Sequence, residues 1–150
     1  MTDLPRAHKI EREARDATDA INLTYDARLL RRKRLTSDAG RAFIVDLPEV
    51  ISLNHGDAFV LEDGTKILVQ AADEALLKVR GHLPRLAWHI GNRHAPCEIA
   101  DDHLLIQADH VMRQMLEGLG ADVAEVMMPF SPEGGAYGEG RTFAHSHVHD

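Results

Sequence analysis

The sequence predicts an α+β protein built as a small β domain, a second domain of mixed strands and helices, and a histidine-bearing tail. Three observations predict it. Up to Ala72 the apolar residues fall in short alternating runs separated by turn signals, with no helical patch among them. From Asp73 to Pro132, two stretches with helical spacing are interleaved with strand-like runs. Beyond Pro132 the composition collapses to Gly, Glu, Ala and Ser, and the chain ends His145-Ser146-His147-Val148-His149-Asp150. The expected division is 1–72, 73–132 and a flexible tail over 133–150.

In the first part, Ile21, Leu23 and Tyr25 alternate with Asn22 and Thr24, the period-2 pattern of a half-buried strand. Ser37-Asp38-Ala39-Gly40 marks a turn before the run Phe43-Ile44-Val45, and Asn54-His55-Gly56-Asp57 marks another. Ala58–Leu61 and Ile67–Val69 flank Glu62-Asp63-Gly64-Thr65, and Asp-Gly between two apolar runs is a strong hairpin signal. The basic run Arg31-Arg32-Lys33-Arg34 has a strand-like context. Alternation puts Arg32 and Arg34 on one face and Arg31 and Lys33 on the other. Two explanations are open: a charged edge strand protected against pairing, or a contact for an acidic partner.

In the second part, Leu76, Leu77 and Val79 predict a strand. Leu83, Leu86, Ala87 and Ile90 predict a helix with Pro84 in its first turn. Ile99 and Leu104-Leu105-Ile106 predict two strands around Asp101-Asp102. Asp109 is the expected N-cap of a helix through Val111, Met112, Met115, Leu116 and Leu119, ending at Gly118 or Gly120. Val123 to Met128 close with a strand. The order β-α-β-β-α-β is that of the ferredoxin-like split βαβ.

The bulk numbers narrow the function. Of 150 residues, 44% are hydrophobic and 27% charged, as in an ordinary globular protein. The formal charge of −7 argues against nucleic acid as a partner. No apolar stretch is long enough to span a bilayer, so no membrane partner is expected. The start has no apolar signal segment, and the single cysteine, Cys97, cannot form an internal disulfide; together they predict a cytoplasmic protein. An enzyme is not expected: G-x-S-x-G, H-E-x-x-H and a Walker A loop are all missing. Gly134-Gly135-Ala136-Tyr137-Gly138 precedes no helical pattern that could receive a phosphate, and it reads as a hinge. A zinc hydrolase would need three protein ligands and an open position in a cleft, and no acid or base is tied to such a cleft by sequence.

The candidate ligands are histidines. His145, His147 and His149 sit at i, i+2 and i+4, on one side of an extended chain, and imidazole suits zinc, copper, nickel and iron. A purification tag normally has uninterrupted histidines, whereas Ser146 and Val148 intervene here. The three therefore point to a transition metal, with no preference among ions. His94 falls at a helix end before Pro96. Alone it reads as a capping or surface residue, and it becomes a ligand if a twofold axis supplies its copy. His110 opens the second helix beside Asp109 and could be an ordinary first-turn residue. Cys97, three residues after His94, is expected to act as a small packed hydrophobe. His89 and His103 look like ordinary polar positions, and His8, His55 and His82 carry no pattern.

Several segments, in this order, resemble the urease accessory protein UreE family of nickel metallochaperones. They are Arg31 to Arg41, Asp46-Leu47-Pro48, Gly56-Asp57, Glu62-Asp63-Gly64, Ala71-Ala72, His89-Ile90-Gly91-Asn92-Arg93-His94-Ala95-Pro96, Asp109-His110-Val111-Met112 with Met115-Leu116, and Pro129 to Gly138 ahead of the histidine tail. The resemblance implies a homodimer whose N-terminal domain is similar to peptide-binding domains of some chaperones, and whose ferredoxin-like domain binds Ni2+. It implies that His94 meets its twofold mate, with His145, His147 and His149 completing or guarding that site. His110 matches a secondary metal position of some members, but Ala108 stands where those members have a partner histidine. Zn2+ or Cu2+ could occupy the same ligands, since copper lies above nickel in affinity. The implied partners are the GTPase UreG and the apo-urease accessory complex. The alternative is a metal-buffering or metal-sensing protein with no urease partner.

Overall fold

A computed structural model describes residues 3–134. The chain divides into two compact units between Ala72 and Asp73.

The first unit is a six-stranded mixed sheet. Its strands are β1 (Arg6–Glu11), β2 (Asp19–Leu23), β3 (Leu29–Thr36), β4 (Ala42–Ser52), β5 (Ala58–Leu61) and β6 (Lys66–Ala71), in the order β2-β6-β5-β1-β4-β3. The Asp63-Gly64 turn joins β5 and β6 as an antiparallel hairpin, with Phe59 opposite Ile67. Gly64 adopts φ +88°, which a side chain rarely tolerates. Inward residues of alternate positions, Phe43, Val45, Leu47, Phe59, Ile67 and Val69, form the core, and Phe43 and Phe59 meet as tilted rings 5.6 Å apart.

Two features of this unit differ from the sequence expectation. β1 was not predicted, because only Ala7 of its six residues is wholly buried and alternation is weak. β2 stops at Leu23 rather than continuing through Tyr25, which turns into a short 3-10 segment, Asp26–Arg28. The reason is Arg28. Its buried guanidinium donates to the carbonyls of Leu23 at 2.9 Å and Leu53 at 3.2 Å and lies 5.7 Å from the Tyr25 ring. The basic run lies on β3, the outer strand of the sheet, with all four side chains exposed. Arg32 donates to Asp46 at 3.0 Å and Arg31 to the Leu47 carbonyl at 3.2 Å, a charged edge of the kind that resists further pairing.

The second unit runs β7 (Asp73–Arg80), α1 (Leu83–Asn92), β8 (Glu98–Ile99), β9 (Leu104–Gln107), α2 (His110–Gly118) and β10 (Asp122–Pro129). Its sheet is antiparallel in the order β10-β7-β9-β8, with the first and third strands of the unit paired at the centre. This is the ferredoxin-like α+β arrangement expected from the periodicity. Leu77, Val79, Leu104, Ile106 and Val123 from one sheet face pack with Leu86 and Ile90 of α1 and Met112 and Leu116 of α2. Asp109 caps α2, its carboxylate accepting from the Val111 N–H at 2.9 Å. His82 caps α1 through Nδ1, which accepts from the Arg85 N–H at 3.3 Å.

Candidate metal centre

His94 stands one residue beyond the cap of α1. The helix could not run on, because Pro96 disfavours helical backbone in the residue before it and has no N–H to donate. The chain instead closes in a Schellman turn. The Ala95 N–H donates back to the Ile90 carbonyl at 3.4 Å, and the His94 N–H to the Gly91 carbonyl at 2.9 Å. That turn needs a left-handed residue at its corner, and His94 occupies it with φ +60°. Glycine is the usual occupant, since a Cβ there costs about 1–2 kcal/mol. Ala95, the next residue, tucks into the core beside α1 while His94 stays exposed. The sequence thus puts an imidazole on a rigid, partly strained corner facing solvent.

The surroundings bear on which atoms can ligate. Cys97 is half-buried and its thiol is pushed up to about 11, by burial first and then by the nearby carboxylates of Glu133 and Glu98. At neutral pH it is a protonated thiol and a poor ligand. Upstream, Trp88 is 63% exposed on α1 and meets His89 edge-to-face at 5.0 Å. Ile99 on β8 is also exposed. Trp88 lies six residues before His94 in the sequence and Ile99 five residues after it.

His110 lies elsewhere, on the first turn of α2, exposed in an open groove with Arg113, Glu117 and Glu125. Arg113 engages both carboxylates, at 3.3 Å to Glu117 and 3.4 Å to Glu125. Ala108 is exposed and adds no ligand, and its N–H donates to the Ala75 carbonyl. Among the described residues, no three metal-ligating side chains come together. His145, His147 and His149 lie outside the described residues. Of the other histidines, His103 pairs with Asp102 at 2.6 Å, which holds that carboxyl below its usual range.

Sequence reasoning missed two features here. The left-handed corner at His94 was hidden because the residue is not glycine. The contacts made by Phe130 to Glu133 were missed too, although a phenylalanine between Pro129 and Pro132 was a signal for an extended, buried segment.

Comparison with known proteins covers both units. A family profile described as "UreE urease accessory protein, N-terminal domain" matches residues 2–72, and one described as "UreE urease accessory protein, C-terminal domain" matches residues 69–150. A urease accessory protein UreE from Ruegeria pomeroyi is 56% identical over 148 residues, 97% of this chain and 99% of its own length. One from Rhodobacter capsulatus is 58% identical over 131 residues, covering 87% of this chain and 84% of its own. One from Chelativorans is 50% identical over 153 aligned positions, 97% of each. Matched in both units and more than half identical to such relatives, the chain belongs to the urease accessory protein UreE family.

Proposed function

We propose that this chain is a non-catalytic accessory protein of urease maturation, a homodimer that binds Ni2+ as cargo and hands it to apo-urease. The observation that carries the proposal is His94: an exposed imidazole kept at a left-handed corner where glycine would cost less. Glu13 and Asp16 are also exposed polar residues at positive φ, so the backbone angle alone marks no ligand; at His94 it is an imidazole that takes the corner, in a chain whose relatives are named urease accessory proteins.

A delivery protein needs ligands that hold an ion and let it go. One His94 cannot do this alone. Two copies across a twofold axis, joined by His145, His147 and His149, provide few and exchangeable imidazoles. His110 is a further, weaker ligand. Zn2+ and Cu2+ suit the same donors, so selection for nickel falls to the receiving proteins, which we take to be the GTPase UreG and the apo-urease accessory complex, in the cytoplasm. The exposed Trp88 and Ile99 suit the dimer contact.

The test is nickel titration calorimetry with the oligomer mass recorded, on the wild type and His94→Gly. Glycine is chosen because it removes the ligand and relieves the corner. The expected result is a single tight ion per dimer in the wild type, lost in the variant, with a melting temperature equal or higher. Full nickel affinity in His94→Gly would remove His94 from the site and favour a buffering role for the tail.

A further inference from the structure

The chain does not leave the second unit where its last strand ends. β10 lies at one edge of the sheet and β8 at the other, with β7 and β9 between them. Yet the Glu133 N–H donates to the Cys97 carbonyl at 2.9 Å, and the Ser131 N–H donates to Oε1 of Glu98, the first residue of β8, at 2.8 Å. Three strand spacings separate the two edges, roughly 14 Å. The four residue-to-residue steps from Pro129 to Glu133 reach about 14 Å when fully extended, so they have almost no slack. Pro132 restricts itself and the residue before it to extended backbone.

Phe130 holds the crossing down. Strand alternation from Val123, which faces the helices, puts Phe130 on the opposite face, the one shared by Leu76 and Leu105. All three are buried, and none belongs to the cluster beneath the helices. Residues 130–134 therefore form a strap across the helix-free face, from the β10 edge to the β8 edge.

We propose that this strap, with Glu98 as its positioning residue, moves the root of the C-terminal segment to the strand that follows His94. The inference rests on the nickel proposal above. Glu133 is bonded to a residue only three positions past His94. From Gly134 to His145 the chain makes eleven residue-to-residue steps, a reach of at most about 40 Å. Releasing the strap would start that segment at Pro129, on the far edge, and lengthen it by five residues. A longer tether with a displaced root lowers the effective concentration of His145, His147 and His149 at the His94 site by about threefold.

The variants are Glu98→Ala and Glu98→Gln, each in the full chain and in a chain ending at Tyr137. Amide hydrogen exchange at Ser131 and Glu133 reads the strap without metal, and calorimetry with nickel sulfate reads its consequence. Glu98→Ala should speed exchange at Ser131 by about tenfold, the loss of one hydrogen bond to a charged group. It should weaken nickel binding by about threefold in the full chain and leave it unchanged in the shortened one. Glu98→Gln, which keeps the acceptor oxygen, should restore most of both. Unchanged exchange in Glu98→Ala would overturn the strap. Faster exchange with unaltered nickel binding, or an equal loss in both chain lengths, would overturn its role in positioning. Identical nickel binding by the full and shortened wild-type chains would instead remove the tail from the metal site, a failure of the nickel proposal and not of the strap.

Discussion

The C-terminal ends of α1 and α2 are the same turn built with different residues. After α2, the Ala121 N–H donates to the Leu116 carbonyl and the Gly120 N–H to the Glu117 carbonyl, both at 3.0 Å, with Gly120 at φ +90°. After α1, Ala95 and His94 make the corresponding bonds to Ile90 and Gly91, with His94 at φ +60°. In each turn an alanine follows the left-handed corner and packs against the core under its helix. Backbone and packing are matched, so the corner residue is the variable. Gly120 is what helix chemistry selects there. At the α1 turn an exposed histidine takes that place at φ +60°, against the glycine preference.

The largest predicted effect tests whether the two turns are equivalent in packing. Ile90 and Leu116 hold the same position in their turns, and both are wholly buried. Ile90→Ala and Leu116→Ala should each cost about 2–5 kcal/mol in urea unfolding, through lost burial and the cavity left behind. Costs that differ by more than about 3 kcal/mol would mean the two helix ends are not comparable scaffolds.

A smaller effect isolates the corner itself. A Cβ added at Gly120 meets nothing within 4 Å, so Gly120→Ala is penalised only through its backbone angle. That variant should lose about 1 kcal/mol. His94→Gly should move the other way by up to about 1 kcal/mol, because it relieves the same angle. Chemical denaturation of the two single variants reads this directly. If His94→Gly is strongly destabilised, the imidazole has a structural job and the strain argument for a ligand fails.

How much of this was legible in the sequence depended on how local the cause was. The order of the second unit followed from apolar spacing at Leu83, Leu86 and Ile90, and again at Met112, Met115 and Leu116, because burial against one sheet face imposes that period. The Asp109 cap and the Asp63-Gly64 hairpin were legible because the side chain and the turn act within a few residues. β1 was not, since its place in the sheet is set by partners in β4 and β5 far along the chain. Buried Arg28 was hidden for the same reason: its acceptors at Leu23 and Leu53 belong to separate segments. His94 was legible as a histidine at a helix end, and its left-handed backbone was not. The strap from Phe130 to Glu133 joins residues more than thirty positions apart and left only two prolines as a trace.

The smallest predicted effect concerns the segment after the α1 corner, which carries Cys97, whereas the chain after Gly120 passes directly into β10. If Cys97 supplied a thiolate to the metal, the contrast between the two turns would not rest on His94 alone. Burial, reinforced by Glu133 and Glu98, holds the thiol near 11, well above its ordinary value. A group raised in the fold relative to the unfolded chain favours folding below its unfolded pKa and withdraws that stability as pH rises. The window for Cys97 is therefore from the ordinary thiol range up to about 11. Within it the native protein should lose stability gradually, and Cys97→Ser should flatten that loss. Alkylation by iodoacetamide at pH 8 should run on the order of a hundredfold slower than for an exposed cysteine, and should accelerate steadily toward pH 11. Adding nickel at pH 8 should leave that slow rate unchanged. A nickel-dependent block of alkylation would instead bring the sulfur into the metal site, and His94 would then share the role that separates the two turns.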